Sequence, residues 1–186
     1  MRWDALFDDL ESQLLTAASV REEGEIRDRL RSEQSRLTLV QRLTCQIGRP
    51  MDVSTTGGRS LTGILTHVGS QWLALAVEGR SVIVPLSSLQ SLRGLGRAVG
   101  QPLSGVHAKL GTGSALRALS RDRAHVAVWL GSPASRFTGV IDRVGADFFE
   151  LGLVAPGDER RASNVRDVLT VPFASVDSLD ATGATD

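Results

Sequence analysis

The chain reads as a mainly β protein, with two tandem five-stranded small barrels preceded by a helix or helical hairpin. Three observations carry that reading. One pattern is written twice, the hydrophobic period changes from helical to two at Pro50, and turn dipeptides divide the rest of the chain into short segments. The first copy is Leu61-Thr62-Gly63-Ile64-Leu65-Thr66-His67-Val68-Gly69-Ser70-Gln71-Trp72-Leu73-Ala74-Leu75. It returns as Phe137-Thr138-Gly139-Val140-Ile141-Asp142-Arg143-Val144-Gly145-Ala146-Asp147-Phe148-Phe149-Glu150-Leu151. Thr, Gly, Val, Gly and Leu recur identically, and nearly every other apolar position stays apolar. Downstream, the stretch from Ser81 to Leu92 reappears from Asp167 to Leu179.

Taken in order, residues 3 to about 43 predict helix. Trp3, Leu6, Phe7, Leu10 and Leu14, then Ile26, Leu30, Leu37, Val40 and Leu43, recur at spacings of three, four and seven. Gly24, inside an acidic run, is placed to break this segment into a hairpin. Beyond Pro50, Met51, Val53 and Thr55 alternate, and so do Leu61, Gly63, Leu65 and His67, as strands with one buried face do. Gly57-Gly58, Gly69-Ser70 and Glu78-Gly79 mark turns. Pro85 closes the Val82-Ile83-Val84 strand, and Leu86 to Leu89 forms a tight turn into a last strand, Gln90 to Arg93. The second unit repeats the order, with a helix from Ser114 to Leu119 and strands near His125–Leu130, Phe137–Val144, Asp147–Leu153, Val168–Val171 and Ser175–Leu179. The predicted organisation is a helical segment over 1–36, barrels over 37–100 and 113–179, and a disordered tail over 180–186. A charged excursion over 156–166 interrupts the second barrel and reads as a solvated loop.

Bulk properties narrow the function classes. No apolar run approaches the roughly 18 residues a membrane span needs, and the chain opens Met1-Arg2-Trp3-Asp4 and turns acidic at once, unlike a secretory signal. No membrane partner and a cytoplasmic location are expected. The lone Cys45 cannot close an internal disulfide and reads as a small apolar filler. Net charge is zero but unevenly spread. Residues 1–36 carry six Arg against nine acids, 37–112 carry seven basic residues against Asp52 and Glu78, and 113–186 carry eight Arg against ten acids. Only the first barrel has the sign a polyanion prefers.

Chemistry-bearing motifs are absent. His67, His107 and His125 are far apart in sequence with no partner at zinc-ligand spacing, and there is no nucleophile elbow, P-loop or His-Glu-x-x-His. Neither catalytic residues, a metal nor a cofactor is expected. Gly111-Thr112-Gly113-Ser114 opens a predicted helix but lacks the third glycine and preceding strand of a dinucleotide fingerprint, and reads as linker and cap.

The segment Gly63 to Leu75, together with Val82-Ile83-Val84-Pro85-Leu86-Ser87-Ser88-Leu89 after it, resembles the two halves of a bacterial Sm-like barrel, and the second repeat resembles it equally. That resemblance covers about 37–93 and 113–179, and it implies small barrels of a kind that commonly forms RNA-binding rings. Similar alternation occurs in barrels of the ribosome-maturation and photosynthetic-reaction-centre types. The chain departs from the Sm pattern where an acidic residue is usual, at Gly69 and Gly145. It departs again where a polar residue lines the uridine pocket, at Leu73 and Phe149. The opening Met1 to Phe7 is similar to an actinobacterial family sometimes labelled a Fis-type transcriptional regulator, although no helix-turn-helix pattern accompanies it.

Two functions are expected on these grounds. The first is a non-catalytic RNA- or DNA-associated regulator or adaptor, with Arg59, Arg80, Arg93 and Arg97 as nucleic-acid-binding residues near turns and strand ends. The second is a protein-interaction adaptor that uses barrel edges and the amphipathic helix, with Trp3 and Phe7 meeting a partner or a second copy of the chain.

Overall fold

The structure, a computed structural model, describes residues 27–29, 31–32, 34–153 and 167–181. Trp3, Phe7, the 156–166 excursion and residues 182–186 lie outside the described residues. Residues 27–29, 31–32 and 34–35 are helical. Residues 39–186 form a separate compact unit, which contains every strand among the described residues.

That unit holds two equivalent runs of a helix and five strands. In the first, helix α1 (Leu39–Thr44) precedes β1 (Pro50–Thr55), β2 (Ser60–Val68), β3 (Trp72–Val77), β4 (Arg80–Pro85) and β5 (Leu89–Arg93). In the second, helix α2 (Thr112–Arg121) precedes β6 (His125–Leu130), β7 (Ser135–Val144), β8 (Phe148–Leu153), β9 (Asp167–Pro172) and β10 (Val176–Ala181). A single 3-10 turn links the last two strands in each run, at Leu86–Ser88 and Phe173–Ser175, directly after a proline that cannot extend the ladder. Registers repeat as well. Leu65 faces Leu75 and the ladder slips before His67, just as Ile141 faces Leu151 and the ladder slips before Arg143.

The strands form one antiparallel sheet in the order β5-β1-β2-β3-β4-β10-β6-β7-β8-β9. The mainly β expectation holds, and the two expected runs of five strands are joined edge to edge in one sheet. Neither β4 nor β9 pairs with the fifth strand of its own run. Instead β4 pairs with β10, setting Ile83 opposite Leu179, Val82 opposite Asp180 and Ser81 opposite Ala181. The tail boundary is corrected for the same reason: Asp180 and Ala181 are buried in β10 rather than free.

Each run has its own hydrophobic core. Leu43 on α1 joins Met51, Val53, Leu65, Leu75 and Val84, while Leu116 on α2 joins Val126, Val128, Ile141, Phe149 and Leu179. Ala74 and Ile83 belong to the second core although they sit on β3 and β4, between Leu73, Leu75, Val82 and Val84 of the first. Side chains alternate across a strand. The continuous runs Leu73-Ala74-Leu75 and Val82-Ile83-Val84 are therefore apolar because each face serves a different core. Leu73 and Phe149, which replace the polar residue of the Sm pattern, are buried core residues.

The repeated glycine of Thr-Gly has a steric cause. A Cβ on Gly63 would lie 2.5 Å from the Ala76 carbonyl oxygen of the neighbouring strand, and one on Gly139 would collide with the Gly152 carbonyl. The β3–β4 turn places Glu78 and Gly79 both at positive φ, 48° and 78°, as a two-residue hairpin with right-handed strand twist requires. Cys45 is exposed rather than a core filler, since Leu43 and Gln46 take the inward positions around it.

Replacing Gly63 by Ala should destabilise the protein by about 1–3 kcal/mol, because the added methyl meets backbone that cannot move without breaking the ladder. The check is a urea titration, in which an unchanged midpoint would contradict the steric account.

Candidate functional site

The β1–β2 turn and β10 meet in a buried polar seam behind the β4–β10 pairing. Arg59 donates two parallel hydrogen bonds to the Asp180 carboxylate, at 2.7 and 3.0 Å, and a third to the Ser178 hydroxyl at 2.6 Å. Its guanidinium lies 4.2 Å from the Trp129 ring centroid, while the indole N–H donates to Asp180 at 3.3 Å. Arg80 approaches the same carboxylate at 3.7 Å and Glu78 at 3.3 Å. Asp177 accepts the Thr55 hydroxyl at 2.6 Å and the Gly57 amide at 2.8 Å. The Ser88 hydroxyl lies 2.7 Å from the Asp177 carbonyl oxygen. Every one of these contacts except those to Trp129 and Glu78 joins the first run to β10.

Two of the four sequence-nominated arginines thus serve the seam. The Arg59 side chain is only 16% exposed, and Arg80 is held between two carboxylates. The other two lie elsewhere, on exposed backbone around the end of β5. Arg93 faces Asp52 across the β1–β5 ladder, and Arg97 comes after the turn at Gly94, whose φ is 91°.

Sequence reasoning missed Arg42 and Arg49, which the fold brings to the same place. Arg42 on α1 donates to the Gly96 carbonyl oxygen at 2.6 Å, and a Cβ on Gly96 would lie 3.5 Å from an Arg49 guanidinium nitrogen. The Gly100 amide donates to the Gln41 carbonyl, which keeps residues 94–100 alongside α1. Arg49, Arg93 and Arg97 make no ion pair among the described residues. Asp52, the nearby carboxylate, accepts the Thr62 hydroxyl at 2.8 Å. The signal that pointed here was the charge excess over 37–112, not any single motif. The arrangement can hold an anion by charge and guanidinium hydrogen bonds.

A second concavity lies between the runs. It is a cleft of about 540 Å³ whose lining includes Gln71, Lys109, Thr112, Arg117, Asp147 and Phe173. Gly111 is the N-cap of α2, as its linker reading implies. The Thr112 amide donates to the Gln71 side chain at 3.3 Å, and the Trp72 indole N–H donates to the Leu110 carbonyl at 2.9 Å. Arg117 is turned to the Gly145 carbonyl at 3.1 Å.

Among the described residues no group of His, Cys, Asp and Glu could hold a metal ion, and no helix is long and apolar enough to cross a membrane. The chain matches no protein-family model, and a search of curated proteins finds no relative.

Removing the Asp180 carboxylate by Asp180→Ala leaves a half-buried guanidinium without its partner, and should cost about 3 kcal/mol. Asp52→Ala on the exposed face should change stability by less than about 0.5 kcal/mol. Chemical denaturation of both variants compares them directly, and equal losses would contradict the assignment of the seam.

Proposed function

We propose that this chain is a non-catalytic nucleic-acid-associated protein, a cytoplasmic regulator or adaptor that grips phosphates through one arginine-lined edge of its first half. The observation that carries the reading is the approach of Arg42 and Arg49, from a helix and a loop, to Gly96 within the segment that carries Arg93 and Arg97. None of these four guanidiniums has a carboxylate partner among the described residues, which is what an unoccupied phosphate-binding surface presents. Arg59 and Arg80, first nominated for contact with nucleic acid, bond instead to Asp180 across the joint between β4 and β10.

Each helix and its five strands fit the Sm-like small-barrel unit that the sequence resembles, supported by the identical order and register of the two runs. The contact chemistry differs from that of a base-reading pocket. The chain has no Tyr, Phe149 is buried, and the Trp72 indole is bonded to the linker. Few rings are left on which bases could stack, so binding rests on backbone phosphates and has little sequence preference.

The test is fluorescence anisotropy with a labelled duplex DNA and a single-stranded RNA of equal length, across a salt series. Four phosphate contacts should give a slope of log affinity against log salt of roughly −3 to −4 on the duplex. The double variant R49E/R97E should lower affinity at least about tenfold and flatten that slope by roughly two. Absence of wild-type binding at low salt, or a variant that binds as tightly, would refute the proposal.

A further inference from the structure

We propose that residues 94–100 are a displaceable cover over a phosphate pocket, whose floor is the buried Gln46 amide flanked by Arg42 and Arg49. The inference rests on the phosphate chemistry of the reading above and deepens it, by naming the side chains that hold the anion and the segment that admits it.

The floor is tied into the sheet and the cover is not. Gln46 and Arg49 lie on the connection between α1 and β1, where the Gly48 amide donates to the Leu65 carbonyl at 2.7 Å and the Leu65 amide to the Arg49 carbonyl at 3.0 Å. Residues 94–100 form neither helix nor strand. Among the described residues, two hydrogen bonds fasten them to α1: Arg42 to the Gly96 carbonyl at 2.6 Å, and the Gly100 amide to the Gln41 carbonyl at 2.9 Å. Leu95 alone of the segment rests on the first core. A stretch held by so few contacts opens at low cost.

Beneath the cover, polar groups are left bare. Gln46 is 0% exposed, yet neither its Nε2 nor its Oε1 has a hydrogen-bond partner among the described residues, and the same holds for Arg42 Nε. What faces the amide is carbon: a Cβ built on Gly96 would lie 3.4 Å from both Gln46 atoms. The same point is 3.5 Å from Arg49 Nη1, so the amide and the guanidinium converge on one position. Buried polar groups are normally bonded, and each one left bare opposes closure of the segment. The Gly96 carbonyl oxygen, accepting from Arg42, stands in for a single oxygen of an anion. One carbonyl cannot satisfy these donors together, whereas a phosphate offers several acceptor oxygens to two guanidiniums and an amide N–H. With the cover lifted, Arg42 Nη2 is released to the anion and Gln46 Oε1 meets water. Arg97 rides on the cover and is exposed, so it can close over the bound phosphate. An anion that binds only the open form shifts the segment toward it.

The test uses the full chain and inorganic phosphate, with chloride at equal ionic strength as the control. The NMR signal of the Gln46 side-chain amide should shift saturably with phosphate and not with chloride, and hydrogen exchange at residues 94–100 should quicken as the cover lifts. Q46L should lower the affinity for phosphate and for the duplex at least about tenfold, through loss of a hydrogen bond to a charged group. Its melting temperature should equal or exceed that of the wild type, because the substitution removes a buried group without a partner. A glutamine that served only the fold would be lost at a cost in stability. G100A, whose methyl would collide with the Thr44 hydroxyl, should loosen the cover and raise affinity roughly threefold. The inference is overturned by a Gln46 amide that phosphate leaves unmoved, by exchange at 94–100 that phosphate does not change, or by a Q46L variant that melts lower or binds as tightly as the wild type. Duplex binding that responds to R49E/R97E but not to Q46L or G100A would also overturn it, and would leave the nucleic-acid reading standing. Phosphate held through Gln46 with no duplex binding would support the pocket as a site for small phosphate compounds and refute the nucleic-acid reading.

Discussion

Two buried carboxylates on one strand organise this fold. Asp177 and Asp180 are 2% and 6% exposed, and a carboxylate removed from water must find charge or hydrogen-bond donors. Beside the Trp129 indole N–H, the donors come from the other half of the chain: the Thr55 hydroxyl, the Gly57 amide and the Arg59 guanidinium, with Arg80 at longer range. A Cβ at Gly57 would fall 2.7 Å from the Asp177 carboxyl carbon, so the turn must stay bare to let that carboxylate in. Once these bonds form, β10 can lie only beside β4, and two repeated units become one sheet.

The seam explains features that look unrelated. The apolar runs on β3 and β4 face two cores because β10 brings the second core against them. Their counterpart on β9 has no such neighbour, and there Val168 and Thr170 are exposed. The arginines are divided by the same geometry. Those of the β1–β2 and β3–β4 turns, Arg59 and Arg80, are drawn inward by Asp180, while those around the end of β5 stay exposed at the far end of the sheet. The unpaired positive charge is therefore local, even though the chain as a whole is neutral.

Local architecture was legible in the sequence because it has local causes. Alternation marked the strands, and the strand expected near His125–Leu130 spans those residues. The repeated Thr-Gly reported a close approach of neighbouring strands, and Glu78-Gly79 reported a hairpin turn. The joining of the halves was not legible. Periodicity shows that a strand has a buried face but does not name the strand beside it, and Arg59 and Asp180 are 121 residues apart. An acid near a polar terminus reads as solvated tail, so Asp180 gave no sign of burial. The candidate site was legible only as charge. Its total over 37–112 was right, yet which arginines would be consumed internally depended on a contact that composition does not encode.

The central claim is that the seam makes the two halves a single cooperative unit. Native-state hydrogen exchange at low denaturant tests it most directly, by comparing the slowest amides of β2 and β3 with those of β7 and β8. A common opening free energy and a common denaturant dependence for both sets is the predicted result. Two distinct free energies, with one half exchanging while the other stays protected, would contradict it.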